Sequence, residues 1–339
     1  MEENRMKKAC VVGYGAIGPV HAAALEQCSE AKLWAVCEVN KERAEKCKEQ
    51  YGCRIYEDFD EMLKDPEIDV VHICTPHYLH QPMAKKALLA GKEVVLEKPA
   101  AMNRAELTEL IRIAEETKTK VCVMLQNRTN NSLARLHEII KTQKDLGQMK
   151  GICAFLTWDR TPEYYQADAW RGKWATEGGG LLINQAIHTL DIVDWLGGGV
   201  ESVKASISTK RLGDVIEVED TADALFMMKN GCRGIFFGSN CYSGNSPMRV
   251  EVEFEKVRFR YADSKLYRIE GDEVSVLEDD NKASMGKAYW GNGHFQVIDA
   301  FYRGEENRYT DLNGAVHAME LLFAFYESAK QGGCSVKVE

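Results

Sequence analysis

The chain has 339 residues, 45% of them hydrophobic and 28% charged, with a formal net charge of −9. That length exceeds one ordinary core and suits two domains, and the composition is that of a soluble globular protein. The acidic balance disfavours a nucleic-acid partner, because phosphate recognition needs basic surface, and no apolar run approaches the roughly 20 residues that span a bilayer.

The first residues, Met1 to Lys8, are polar and lack a cleavage-like small-residue site, so they do not read as a signal peptide. The 11 cysteines are odd in number and scattered, with no Cys-x-x-Cys pair. This is the usage of a reducing compartment, and the expected location is cytoplasmic. Cys10, Cys74 and Cys122 lie within apolar runs and read as small buried hydrophobes.

From Ala9 to Leu125 short apolar runs alternate with helical segments. The runs are Cys10–Val12, Leu33–Val36, Val70–Cys74, Val94–Leu96 and Val121–Leu125. They are rich in β-branched residues and nearly continuous, as strands buried on both faces should be. The segments Ala16–Cys28, Lys41–Gln50, Gln81–Ala90 and Arg104–Thr117 are predicted helices. Asn40 and Asn103 are the expected N-caps, and Gly52 and Gly91 stand where helices should stop. The alternation predicts a parallel, doubly wound sheet in a domain spanning 1–125.

The first strand runs into Gly13-Tyr14-Gly15-Ala16-Ile17-Gly18, which opens a helix, and Glu38 follows twenty residues after Gly18. Strand, glycine turn, helix and acid in that order form the context of a dinucleotide-binding fingerprint. Gly13 would permit the tight turn, Gly15 the close approach of a pyrophosphate, and Gly18 the packing of helix on strand. The helix N-terminus would offer N–H groups to the anion. Glu38 would accept ribose hydroxyls and repel a 2′-phosphate, favouring NAD, while Arg43 and nearby lysines keep NADP as the alternative.

Ligands of such a sheet bind beyond the carboxyl ends of its strands. Thr75-Pro76-His77-Tyr78-Leu79-His80 and Glu97-Lys98-Pro99 occupy those ends and are expected to face the nicotinamide. His72, His77 and His80 do not make a metal site: His72 lies within a strand, and no acidic cluster or third ligand accompanies the His77-x-x-His80 pair.

Beyond Gln126 the pattern changes. A helical stretch, Ser132–Lys144, precedes strand-like segments at Met149–Trp158, Val200–Thr209, Thr221–Met228, Cys232–Asn240 and Arg249–Tyr261, and an amphipathic helix covers Gly314–Lys330. This predicts an α+β domain over 126–339, its sheet packing one face on helices and the other on a partner. Within it lies Glu177-Gly178-Gly179-Gly180-Leu181-Leu182-Ile183-Asn184-Gln185-Ala186-Ile187-His188-Thr189-Leu190-Asp191.

That segment resembles the signature of the glucose–fructose oxidoreductase, inositol dehydrogenase and MocA family. Together with the glycine fingerprint, Thr75-Pro76, Glu97-Lys98-Pro99, Trp170-Arg171-Gly172 and the ending Tyr326-Glu327-Ser328-Ala329, the resemblance covers nearly the whole chain. It implies a Rossmann domain followed by an open-faced, mainly antiparallel sheet domain that binds substrate. Homodimers or homotetramers formed through the open sheet are implied too. It also implies hydride exchange between a sugar or polyol carbon and NAD(P), with a catalytic lysine and histidine matching Lys98 and His188. The family commonly has aspartate where this chain has Asn184.

On one helix Asn184 and His188 would share a face, with Asp191 close by, and the three glycines would let backbone approach substrate. Histidine takes up a proton near neutral pH, which suits removal of an alcohol proton. Lys98 would stabilise the alkoxide-like oxygen. Asparagine does not titrate in this range, so Asn184 is expected to orient a substrate hydroxyl. Tyr164, with Tyr165, Trp170 and Arg171, forms a polar-aromatic stretch suited to a sugar ring, with Arg171 holding a cofactor or substrate oxygen; Arg128 is a similar candidate for the cofactor. Two other functions fit the resemblance: an enzyme that retains NAD and uses transient oxidation to cleave a glycosidic bond or eliminate a group, and a non-catalytic dinucleotide or sugar sensor.

Overall fold

The computed structural model describes residues 5–282 and 293–339. The chain forms two compact units: one runs to Gln126 and also takes in Gly293–Val316, and the other begins at Asn127 and includes His317–Glu339.

In the first unit the elements alternate as β1 (Lys7–Val12), α1 (Gly18–Gln27), β2 (Ala31–Cys37), α2 (Lys41–Tyr51), β3 (Arg54–Tyr56), α3 (Phe59–Leu63), β4 (Val70–Ile73), α4 (His77–Leu89), β5 (Glu93–Leu96), α5 (Arg104–Thr117) and β6 (Val121–Val123). The strand order is β6-β5-β4-β1-β2-β3, all parallel. That is the doubly wound arrangement, with its order reversing between β1 and β4. Its helix ends are built as the sequence implies. Asn40 accepts a hydrogen bond from the Arg43 N–H and Asn103 from the Glu106 N–H, and Gly52 closes α2 in the left-handed conformation at φ 66°.

Two short elements here were not anticipated. β3 has only three residues, flanked by charge, and α3 is a five-residue turn capped by Asp58. Neither is long enough to show a period. The expected division at 125/126 also assigned all later residues to the second domain, whereas the structure counts Gly293–Val316 with the first. The reason is burial. Helix α9 (Gly293–Arg303) places Val297, Ile298, Phe301 and Tyr302 in one apolar cluster with Ala9, Leu25, Leu33 and Cys122. Thr310–Asp311 then pairs antiparallel with the edge of β6.

The second unit contains α6 (Asn131–Thr142), β7 (Met149–Thr157), α7 (Pro162–Gln166), α8 (Ile187–Gly197), β8 (Val200–Ser208), β9 (Thr221–Met228), β10 (Arg233–Ser239), β11 (Arg249–Phe254), β12 (Arg258–Ala262), β13 (Lys265–Glu270) and β14 (Glu273–Asp279). The chain continues with α9 (Gly293–Arg303), β15 (Thr310–Asp311), α10 (Leu312–Lys330) and β16 (Val336–Lys337). The large sheet runs β14-β13-β12-β11-β7-β10-β9-β8-β16 and is antiparallel except where β10 lies parallel to β7. Segment 249–261 is a hairpin rather than one strand. Its turn is made by Glu255 and Lys256, with the Phe254 N–H donating to the Val257 carbonyl, and it carries no glycine or proline to announce it.

Strand β9 alternates strictly, burying Ala222, Ala224, Phe226 and Met228 on one side. On that side the rings of Phe226 and Phe236 each meet Phe325 of α10 with centroids 5.8 Å apart. Phe325 is wholly buried, so Phe325→Ala removes a ring that two others pack against. It is expected to destabilise the second unit by about 3–5 kcal/mol, read as a fall in its chemical denaturation midpoint.

Candidate active site

In the first unit the glycine turn is built as three different solutions to one problem. Gly13 has φ +85°, and a Cβ there would lie 2.9 Å from the Cys74 carbonyl oxygen. A Cβ at Gly18 would lie 2.3 Å from the Gly13 carbonyl oxygen, so α1 starts directly against the turn. Gly15 faces open space instead, with only the Arg43 guanidinium near, at 3.7 Å. Tyr14, Gly15, Pro19, Arg43, Lys46 and Gln50 line a cavity of about 330 Å³ there. Ala16 and Ile17 complete the turn, Ala16 exposed and Ile17 at the N-cap of α1. The Glu38 carboxylate is buried and accepts the N–H groups of Tyr14 at 2.6 Å and Asn40 at 2.8 Å, so it ties the turn to the end of β2. This open cradle, with its glycine facing the cavity, fits a pyrophosphate.

Thr75 and Pro76 follow β4, and α4 begins at once, at His77, four residues earlier than expected. Lys98 follows β5 and is half-buried. Two neighbours expected to face the cofactor are committed inside the protein. His80 is buried with Nδ1 2.8 Å from the Pro99 carbonyl oxygen and Nε2 2.8 Å from that of Thr75. Neutral, it donates to one of them; the second bond needs the protonated ring, which burial disfavours. The ring nitrogens therefore both face inward, toward the two loops, and do not reach outward. Glu97 is likewise buried, its oxygens facing His21, His294 and the Lys98 N–H.

In the second unit the segment after the glycines is not one regular helix. Residues Leu182–Ala186 form a π-helical turn before α8, a form frequent at functional sites. From Leu181 to Asp194 every side chain is buried except those of Asn184 and His188. These two half-exposed groups are the ones the sequence singles out.

Two of the glycines before them are required by packing. A Cβ at Gly179 would lie 1.9 Å from the Tyr326 hydroxyl, and one at Gly180 would lie 2.0 Å from the Glu219 carbonyl oxygen. The buried Glu219 carboxylate accepts the N–H groups of Gly180 and Leu182 and the Tyr326 hydroxyl at 2.9–3.0 Å. Burial, opposed by those donors, pushes it up to about 7.

Glu177, also buried, accepts the Gly172 N–H and the Asn184 amide, each at 2.5 Å. Arg171 lies between the rings of Trp170 and Tyr164, donates to the Tyr164 hydroxyl at 2.5 Å and pairs with Asp168 at 3.1 Å. Tyr165 points inward, its hydroxyl accepting from Asn240. Arg128 grips the wholly buried Asp191 through Nε and Nη2, so its guanidinium is spent on a protein carboxylate. Burial raises the Asp191 carboxyl, and Arg128 opposes the rise.

Residues 7–125 match the NAD-binding Rossmann-fold model of the Gfo/Idh/MocA oxidoreductase family, and 133–260 match its C-terminal domain model. The chain belongs to the Gfo/Idh/MocA oxidoreductase family. It is 28% identical over 284 residues to the myo-inositol 2-dehydrogenase of Thermotoga maritima, covering 82% of this chain and 80% of that one. It is also 28% identical over 231 residues to a mouse trans-1,2-dihydrobenzene-1,2-diol dehydrogenase, covering 67% and 66%. Among solved structures, the WlbA dehydrogenase of Bordetella pertussis, in complex with NADH and UDP-GlcNAcA, is 28% identical with a TM-score of 0.86, covering 99% of this chain and 98% of that one. Both halves of the Gfo/Idh/MocA fold are thus present, a doubly wound NAD-binding domain and a mainly antiparallel sheet domain.

Sequence reasoning did not find Glu177 and Glu219 as the supports of this segment, nor His21 and His294 beside Glu97. An isolated acid or histidine carries no period, and only the fold shows what it meets. Asn184→Asp tests the Glu177 contact. Two carboxylates at hydrogen-bond distance cannot both ionise cheaply, so one folded-state pKa rises above its unfolded value. The native state then holds the extra proton more tightly, and stability is lost as pH rises. The variant is expected to melt further below wild type at about pH 8 than at about pH 5, measured by thermal unfolding in matched buffers.

Proposed function

We propose that this oxidoreductase is a dehydrogenase of a sugar, polyol or sugar derivative, and that Lys98 and His188 are its catalytic groups. The observation that carries this reading is the isolation of Asn184 and His188 as the accessible side chains of an otherwise buried segment. The dehydrogenases of inositol and the nucleotide-sugar complex among its relatives support the substrate class. The groups suited to the cofactor are Gly13 to Gly18, Glu38, Thr75, Pro76 and Lys98. NAD supplies the hydride acceptor at C4 of its nicotinamide ring.

The remaining work belongs to the chain. His188 takes the proton of the substrate hydroxyl. Lys98 donates a hydrogen bond to the same oxygen as negative charge builds on it. Asn184 presents its amide oxygen to a neighbouring hydroxyl while its Nδ2 stays on Glu177. Tyr164 offers its ring, braced by Arg171, as a platform for the substrate.

Lys98→Met and His188→Ala are each expected to lower kcat by about 100-fold or more, with the NAD dissociation constant of His188→Ala held within about threefold. The assay is nicotinamide absorbance across a panel of monosaccharides, inositols and nucleotide sugars, with NAD and NADP compared. Unchanged turnover in both variants rejects the assignment.

A second copy of the chain is the proposed occupant of the open sheet face. There Leu225 of β9 is 58% exposed and stands opposite Ile235 of β10, 39% exposed. Phe237 pairs with Phe155 one step along. Leu225→Glu is expected to shift the protein to a smaller species in size-exclusion chromatography with light scattering, since a buried unpaired charge opposes association.

A further inference from the structure

The first unit holds a line of buried polar side chains that the hydride transfer does not use. His21 of α1, His72 of β4 and Tyr302 of α9 stand in series. His21 Nδ1 is 2.9 Å from His72 Nδ1, and His72 Nε2 is 2.8 Å from the Tyr302 hydroxyl. At the other end His21 Nε2 is 3.0 Å from Glu97 Oε1, and His294 Nε2 approaches the same oxygen at 3.3 Å. The second Glu97 oxygen accepts the Lys98 N–H at 3.2 Å. Burial pushes the His21 ring down and the His72 ring well down, so each is neutral at pH 7 and carries one N–H.

That proton count fixes a direction. A carboxylate only accepts, so the His21 proton sits on Nε2. Its bare Nδ1 then accepts from His72, whose proton must sit on Nδ1. The bare His72 Nε2 accepts in turn from the Tyr302 hydroxyl. Every link has one donor and one acceptor. The reverse chain requires a protonated Glu97, which His294 and the Lys98 N–H oppose. Burial works against ionisation of Glu97, yet the hydrogen bonds from His21 and His294 hold its carboxyl well below the usual range. The other titratable groups facing it are His80 of α4 and the thiols of Cys74 and Cys122. Burial raises both thiols, which stay neutral.

We propose that Tyr302, His72 and His21 form a one-way hydrogen-bond chain ending on an anionic Glu97, and that Glu97, so fixed, is a positioning residue for Lys98. The positioning role rests on the reading of Lys98 as the group that meets the substrate oxygen. His80, also buried, faces the Pro99 carbonyl oxygen on the far side of the same turn, at 2.8 Å. The lysine backbone is thus gripped before and after by buried groups, and its placement is set without ligand.

A metal ion makes the opposite demand on the same atoms. The donor atoms of His21, Glu97 and His294 lie within 4.8 Å of one another, a spacing zinc also accepts. Zinc would need a bare Nε2 on His21, which moves the His21 proton to Nδ1 and the His72 proton to Nε2. The two occupants therefore predict opposite tautomers.

The test uses the full chain labelled with 15N-histidine and long-range 1H–15N correlation spectra. His72 is expected as the Nδ1–H tautomer and His21 as the Nε2–H tautomer, both persisting from about pH 6 to 9. The reversed pair, a protonated ring at neutral pH, or one zinc per chain in the purified protein would each overturn the chain. For the positioning role, Glu97→Gln is expected to lower kcat about 10- to 100-fold, with NAD affinity within about threefold. Wild-type kcat in a folded Glu97→Gln protein, beside an inactive Lys98→Met, rejects the positioning role alone. Full activity in Lys98→Met rejects the underlying reading as well, and the tautomer spectra still decide the chain itself.

Discussion

A carboxylate taken out of water is costly unless donors surround it, and this protein accepts that condition at four places that matter. Glu38, Glu97, Glu177 and Glu219 are all buried, and each receives backbone N–H groups or side-chain donors from a loop tied to the candidate site. An acid in this setting works as a fastener. Its two oxygens fix several donors at once, and a loop that loses those bonds leaves a buried charge behind. Residues such as Tyr14, Lys98, Asn184 and Leu182 are therefore placed by neighbours of opposite hydrogen-bond character before any ligand arrives, which is the preorganisation that electrostatic catalysis needs.

The glycines are the steric counterpart of these fasteners. Gly13, Gly18, Gly179 and Gly180 each sit where a methyl group would collide with a backbone or hydroxyl oxygen of the protein itself. Gly15 is the exception, facing a cavity. The same residue type thus has two meanings, and sequence spacing distinguishes them only where a known geometry, strand to turn to helix, supplies the context. For Gly178-Gly179-Gly180 no such context existed. The fit of Gly179 against Tyr326 depends on α10, nearly 150 residues downstream, and that of Gly180 depends on the backbone at Glu219.

Much of the fold was legible because its first sheet is buried on both faces. Val70 to Ile73 and Val94 to Leu96 can be little else than central strands, and the helices between them carry side-chain caps at Asn40 and Asn103. Legibility failed where burial is one-sided or contributed from afar. β14 exposes Val274 and Val276, so its burial does not follow the alternation of its residues. α9 was invisible as part of the first unit because its partners, Leu25 and Leu33, lie at the other end of the chain. Among site residues, Asn184 and His188 emerged from a family pattern, and the structure adds their accessibility. Glu97 and His80 stood in the right motifs, but their side chains turn inward, a direction that no motif encodes.

Asn184 shows how a departure from a family pattern acquires a physical cause. Aspartate is the residue the resemblance leads one to expect there, and alone it would be a reasonable partner for His188. Beside Glu177, however, the position meets a buried carboxylate that already receives the Gly172 N–H, and what that oxygen pair needs next is another donor. An amide supplies it through Nδ2 and still carries an acceptor oxygen. A carboxylate would bring a second negative charge into a space with low dielectric. Glu177 and Asn184 are therefore best understood as one unit that holds its charge inside and presents a neutral face. Under the proposed mechanism this leaves the proton transfer to His188.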